Sequence, residues 1–292
     1  MKWWTKTRAR RKGLQWAVRF FALTWLFVLV WGFVIEPGRL VERDHTLTLP
    51  NWSQACNALR VDVITDTHTG SPRNGVDNLD RVVQRLIASD SQAVLMTGDY
   101  VILSVFLGTF IAPEVIAEHL KPLTARKPVY AVLGNHDWWK DGDRVRRALQ
   151  SAGVVMLDNR AQAATFGGCR VWLVGIGDLL EGKPEIAKAF SMVTDAAPVV
   201  VLTHEPDLLP RIPARAALTI AGHTHGGQID PWPHRPDPAT FVLGSPRLKW
   251  HILDRGRHLF VSPGIGTSIL PMRLGVPPEI SRLTLRAAPP KP

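Results

Sequence analysis

Five short apolar runs, each cut off by a polar cluster, constrain this chain more than any other feature. RVDVIT runs into Asp66-Thr67-His68, AVLMT into Gly98-Asp99, and VYAVL into Gly134-Asn135-His136-Asp137. Further on, PVVVLT meets His204, and ALTI meets Ala221-Gly222-His223-Thr224-His225. Runs of this length, rich in Val, Ile and Leu, read as buried strands. Helix-like stretches separate several of them, at Asn78–Ser89, Pro113–Leu120, Asp141–Ala152 and Pro184–Ser191. Alternation of this kind predicts an α/β sheet, with groups at the carboxyl ends of the strands converging on one edge.

A single histidine after a strand reads as a loop residue or a satisfied core polar group. Five of them, His68, His136, His204, His223 and His225, joined by Asp66, Asp99 and Asn135, need something charged to satisfy them at one edge. Divalent metal ions meet that need. The set contains imidazole and carboxylate but no thiolate, which suits Mn, Fe or Zn better than Ca or Mg. Asp66-x-His68 and His223-x-His225 each place two side chains on one face if the segment is extended.

The net charge of +10 invites a nucleic-acid role until the charge is located. Seven basic residues and no acid lie within residues 1–19, which leaves +3 for the remainder. The excess therefore belongs to a tail, and no aromatic stacking platform accompanies it, so no nucleic-acid partner is expected. After the tail, FFALTWLFVLVWGFVI (Phe20–Ile35) carries no charge, and extension back to Leu14 gives a membrane-spanning length. A cleaved signal is the rival reading; no small-x-small site follows Ile35, which favours an uncleaved anchor. The positive-inside rule puts the tail in the cytoplasm and the rest on the outer, periplasmic face of the inner membrane. The expected organisation is a basic tail (1–13), a single-pass transmembrane anchor (14–35), a linker (36–58), a catalytic domain (59–287) and a short tail (288–292). The two cysteines, Cys56 and Cys169, allow either one disulfide or two free thiols.

The order D-x-H (Asp66–His68), G-D (Gly98-Asp99), G-N-H-D (Gly134–Asp137), H (His204) and G-H-x-H (Gly222–His225) resembles the calcineurin-like metallophosphoesterases. The resemblance covers about Leu59 to Leu285. H-T-H-G-G-Q-I (His223–Ile229) and S-P-G-I-G-T, followed by P-M-R-L-G-V-P-P-E-I (Ser262–Ile280), is similar to a small, often membrane-anchored bacterial branch. Some members of that branch are UDP-2,3-diacylglucosamine pyrophosphatases of lipid A synthesis.

The resemblance implies a four-layer α/β/β/α sandwich, here preceded by one N-terminal transmembrane helix. It implies two divalent metal ions, manganese first among Mn, Fe and Zn. One would take Asp66, His68 and His225, the other Asn135, His204 and His223, with Asp99 bridging. His136 is the candidate general acid, or else a residue that only braces Asn135. Arg273 is a candidate phosphate contact or a solvated surface residue. Protein phosphatases of the superfamily carry an acid and an Arg shortly after G-D; Tyr100-Val101-Ile102-Leu103 stands here, which argues against phosphoprotein substrates.

The first expectation for activity is pyrophosphate hydrolysis of a lipid-linked or nucleotide-linked substrate at the membrane, UDP-2,3-diacylglucosamine foremost. The alternatives are a broad phosphodiesterase of cell-envelope phosphodiesters and a catalytically silent metal-binding membrane protein. Val101–Ala112 and Trp138-Trp139 could line an acyl groove, dip into a bilayer or pack as ordinary core. The Pro-rich stretch Asp230–Pro238, flanked by Trp232 and Trp250, could form a lid.

Overall fold

The computed structural model describes residues 2–230 and 249–289. Most of the expected lid, including Trp232, and residues 290–292 of the expected tail lie outside the described residues. Two six-stranded sheets stack face to face. The first runs in the order β1 (Val41–Leu49), β12 (Glu279–Ala287), β2 (Leu59–Ile64), β3 (Ala93–Met96), β4 (Val129–Ala131) and β5 (Val155–Met156). The second runs β10 (Trp250–Asp254), β11 (Arg257–Val261), β9 (Leu218–Ala221), β8 (Val199–Leu202), β7 (Cys169–Gly175) and β6 (Arg160–Phe166).

The strands β2 to β5 pair in parallel, as do β7, β8, β9 and β11. Parallel strands are covered on both faces, so their sequences are continuously apolar rather than alternating. Val61, Val63, Leu95, Val171, Leu173, Val200, Leu202 and Ile220 fill the space between the sheets. On the other side of the first sheet, Ile64, Val94 and Met96 meet α2 (Val76–Ala88), α3 (Pro113–Thr124) and α4 (Asn135–Ser151). In α2 the buried Leu79, Val82, Val83 and Leu86 recur at helical spacing and form one stripe. The outer face of the second sheet is covered by α5 (Ile186–Ser191) and by the turn at Pro206–Arg211. The result is the four-layer α/β/β/α sandwich.

Two features differ from the sequence reading, and a third was left open by it. Residues 36–58, expected as a linker, contain β1, which pairs in parallel with β12 from Val41↔Glu279 to Leu49↔Ala287. The strand VERDHTLTL is charged because it lies on the sheet edge; only Leu47 and Leu49 reach the inter-sheet core. The fourth helix begins at Asn135, not Asp141. Asp141 breaks it into two pieces and restarts it, its Oδ1 accepting the Arg144 N–H at 2.9 Å. The cysteines, left open by the sequence, form a disulfide between Cys56 and Cys169. It joins the turn before β2 to the start of β7, tying the two sheets together at the edge away from the polar clusters. A bridge closing 113 residues restrains the unfolded chain strongly. The Cys56→Ser/Cys169→Ser double variant is expected to lose about 3 kcal/mol, or roughly 10 °C in a thermal melt.

Ahead of the sandwich, α1 (Lys2–Val30) continues through a wider helical turn at Trp31–Ile35. From Leu14 to Val30 nearly all its large apolar side chains are exposed, and the stretch Arg11–Gly38 is long and apolar enough to cross a membrane. The exit of this helix is anchored. Gly32 is buried against Met272, and its carbonyl accepts the Arg273 N–H at 2.9 Å. Trp31 Nε1 donates to Glu36 Oε2 at 2.7 Å, and the same oxygen accepts from Gly275 N at 3.0 Å.

Candidate metal centre

All five polar clusters sit where parallel strands end. β2, β3 and β4 deliver Asp66, His68, Asp99, Asn135 and His136 from the first sheet; β8 and β9 deliver His204, His223 and His225 from the second. Hydrogen bonds sew the sheets together here. His204 Nδ1 donates to Thr97 O at 2.7 Å, and His223 N donates to Asp66 Oδ2 at 3.0 Å.

The backbone is not extended at these positions. Asp66, His68, Asp99, His223 and His225 all have positive φ, between 36° and 69°. This corrects the expectation that each x-spaced pair shares one face of a strand. The strands stop at Ile64 and Ala221, and the ligands stand on tightly coiled loops beyond them. Left-handed conformations at non-glycine residues cost energy and are retained where the surroundings impose them, commonly at functional sites. Gly98, at φ +101°, permits the closest approach; a Cβ there would lie 2.5 Å from Gly134 N and 2.7 Å from His204 Nδ1.

Two groups of ligand atoms result. Asp66, His68 and His225 converge, with His68 Nε2 3.2 Å from His225 Nε2 and His225 Nε2 3.4 Å from Asp66 Oδ1. In the other, His223 Nδ1 lies 3.1 Å from Asn135 Oδ1 and 3.2 Å from His204 Nε2. Asp99 Oδ2 stands between them, 3.5 Å from His68 Nε2 and 3.3 Å from His204 Nε2. His223 and His225, two residues apart, thus serve different groups.

These atoms fit cations and little else. His68 Nδ1 faces the Val101 carbonyl at 3.2 Å and His204 Nδ1 faces that of Thr97, so each ring donates outward and turns a lone pair inward. The lone pairs point at one another and at carboxylate oxygens, and the buried Asp66 Oδ1 accepts no hydrogen bond. Burial pushes the His68 imidazole down to about 3 and that of His223 to about 4, which keeps both neutral. Burial raises Asp66 to about 6. For Asp99 burial acts upward, but the facing His204 and His68 outweigh it and hold the carboxylate ionised. Burial acts downward on His204 as well, but the facing Asp99 outweighs it and raises its pKa, so a metal ion would displace a proton there. Imidazoles and carboxylates so placed are a ligand set for two divalent ions. Such ions would neutralise phosphoryl oxygens and activate water for in-line attack.

His136 lies against this centre. Its ring packs at 4.7 Å on that of His68 and at 5.2 Å on that of Trp139, and its buried Nδ1 has no hydrogen-bond partner. Its backbone N–H donates to Asp99 Oδ1 at 2.9 Å. Asp137, the sequence neighbour that could have oriented it, does something else. Its carboxylate accepts from the backbone N–H groups of Asp99, Tyr100, Val101 and Gly134 and so clamps the loop that carries Asp99.

Arg273 is a correction. Its side chain is wholly buried, donating from Nε and Nη2 to Gly266 O, from Nη1 to Val276 O and from Nη2 to Pro263 O. With those hydrogen bonds made inside the protein, it is not a solvated surface residue but braces the loop behind Asp66 and His68. Two further residues went unnoticed in the sequence. Asn74 Nδ2 donates to Thr67 O and shapes the His68 loop. Glu205, buried next to His204, groups with His204 and His223. No local pattern marks Asn74; Glu205 could have been suspected from its place beside a ligand.

Known proteins agree with this geometry. Residues 59–227 match the family model described as calcineurin-like phosphoesterase. The chain is 25% identical over 256 residues to the uncharacterized metallophosphoesterase YkuE of Bacillus subtilis (strain 168), spanning 87% of this chain and 88% of that one. It is 31% identical over 198 residues to the phosphodiesterase YaeI of Escherichia coli (strain K12), covering 66% of this chain and 69% of the other. It is 26% identical over 313 residues to the UDP-2,3-diacylglucosamine pyrophosphatase LpxG of Chlamydia trachomatis, covering 88% and 92%. With the family model spanning more than half the chain and a buried His/Asp cluster at the ends of its strands, the protein belongs to the calcineurin-like phosphoesterases and is a metal-dependent phosphoester hydrolase.

Proposed function

We propose that this is a membrane-anchored phosphodiesterase acting on phosphodiester or pyrophosphate bonds of envelope lipids at the outer face of the cytoplasmic membrane. The observation that carries the chemistry is Asp99 Oδ2, set between two groups of inward-facing imidazoles. The side of the membrane rests on the Cys56–Cys169 disulfide, since such bridges persist in oxidising compartments, and on the basic tail ahead of α1. Manganese, first among the ions that the family resemblance implies, remains the favoured metal.

In this reading Asp66, His68 and His225 hold one ion, and Asn135, His204 and His223 the other. The carbonyls of Val101 and Thr97 fix the two outward-donating rings. His136 sits half-buried against the centre, its Nδ1 buried and unpaired, and delivers a proton to the leaving oxygen. The run Tyr100-Val101-Ile102-Leu103 holds neither the acid nor the Arg that protein phosphatases carry shortly after G-D, which supports a non-protein substrate.

A second reading, hydrolysis of UDP-2,3-diacylglucosamine, is favoured by the similarity to LpxG. The disulfide and the charge rule stand against it, because that nucleotide sugar is cytoplasmic.

The test uses the full chain in detergent, stripped by chelator and reloaded with Mn²⁺. It is given bis-p-nitrophenyl phosphate, a phospholipid phosphodiester and UDP-2,3-diacylglucosamine, with products identified by mass spectrometry. Cleavage of both diesters and not of the nucleotide sugar is expected; preferential cleavage of the nucleotide sugar would install the second reading. His136→Ala is expected to slow the alkyl diester about a hundredfold and the aryl diester far less, because only the alkoxide needs an acid. Equal losses on both would make His136 a brace for Asn135.

A further inference from the structure

The loops that carry the metal ligands continue into exposed apolar side chains. The segment after Asp99 buries Val101, Ile102 and Val105 but exposes Leu103, Phe106, Leu107 and Phe110, with Phe106 at 68% and Leu107 at 77%. The segment after Gly264–Gly266 exposes Ile269 at 72% and Leu270 at 42%. These two segments are one surface: Val105 bridges to Ile269, and Phe106 N donates to Ile269 O at 3.1 Å.

The surface is attached to the metal centre on both sides. Gln228, three residues beyond His225, donates to the carbonyls of Ser268 and Leu270 and accepts from Ser268 N. On the other side Phe110 lies under the Lys140 ammonium, 5.0 Å from the ring centroid, and the adjacent Trp139 packs on His136. Leu107 and Ile269 also have positive φ, 61° and 62°. A β-branched residue in that region is a backbone outlier, and this one is spent on presenting Ile269 to solvent. A strained, bulky, apolar rim around a site marks an interaction surface rather than leftover core.

The occupant follows from continuity with the apolar helix. The exit of α1 is fixed to the same loop: Gly32 packs on Met272, and Arg273 N donates to Gly32 O. Only Leu270 and Pro271 lie between Ile269 and Met272. A bilayer around α1 therefore reaches the rim without any further partner, and Lys140 beside Phe110 suits an anionic headgroup layer.

We infer that the rim formed by Leu103, Phe106, Leu107, Phe110, Ile269 and Leu270 docks into the bilayer interface and turns the mouth of the metal centre toward lipid headgroups. This rests on the reading of α1 as a membrane anchor. It explains how a buried metal site meets a phosphodiester that does not leave the membrane.

The test is physical and independent of turnover. Full-length Phe106→Cys, Leu270→Cys and Arg126→Cys proteins are each labelled with an NBD maleimide in lipid nanodiscs. Arg126 precedes β4, at the edge of the sheet away from the metal centre, and serves as the reference. With nitroxide lipids labelled near the headgroup, labels at 106 and 270 should be quenched at least threefold more than the label at 126, with blue-shifted emission. Equal quenching at all three positions, or none at 106 and 270 in proteins that melt like the wild type, would overturn the docking. Quenching at 106 and 270 only by a nitroxide-bearing lipid substrate, and not by bulk lipid, would also overturn it, replacing it with an acyl-chain site. Loss of hydrolysis with quenching intact would instead count against the proposed activity alone.

Discussion

Asp99→Asn should lower phosphodiester turnover by about a thousandfold or more, roughly 4 kcal/mol of transition-state stabilisation. Asp99 Oδ2 faces both groups of ligands, at 3.5 Å from His68 Nε2 and 3.3 Å from His204 Nε2. An amide in that place turns either a neutral oxygen or an N–H toward two lone pairs and removes the one charge shared by the groups. The other oxygen accepts from His136 N, a bond an asparagine keeps, so the fold should survive. The measurement is metal content by mass spectrometry beside turnover and a melt. Wild type should carry about two ions per chain. The variant should carry fewer and melt normally. Full metal content with full turnover would remove Asp99 from the bridging position.

Arg273→Met should destabilise the fold by about 4 kcal/mol, a drop of roughly 10 to 15 °C in the melt. The guanidinium is fully buried, and burial pulls its pKa down to about 10, yet it stays charged because Asp66, Glu36 and Glu279 are near. Methionine leaves the carbonyls of Gly266, Val276 and Pro263 without these donors. Gly266 N also donates to Asp66 O at 2.7 Å, so the loosened loop should weaken metal retention too. Arg273→Lys should recover only part of the loss, since one ammonium cannot span the three carbonyls of the fork. A variant of normal stability with a raised KM would instead return Arg273 to the substrate.

Much of the site was legible because its signals are local. Each apolar run and the ligand at its end lie within ten residues of one another, and strand direction alone carries them to one edge. That reasoning placed Asp66, His68, Asp99, Asn135, His136, His204, His223 and His225 together. It fails for conformation: the x-spaced pairs read as extended, whereas both members of each pair have positive φ. Nothing local in Asp or His announces a left-handed backbone, because the surrounding packing imposes it.

The one-dimensional pattern by itself determined the alternation of strands and helices, the ligand types and the apolar N-terminal helix, each being a property of neighbours in the chain. Tertiary structure decided the rest. VERDHTLTL reads as a linker until β12 pairs with it, more than two hundred residues away. Cys56 and Cys169 are joined across 113 residues. Arg273 is ambiguous until the carbonyls of Pro263, Gly266 and Val276 close on it. Such contacts leave no periodicity and no motif, because the energy that fixes them comes from burial among residues that only the fold makes neighbours.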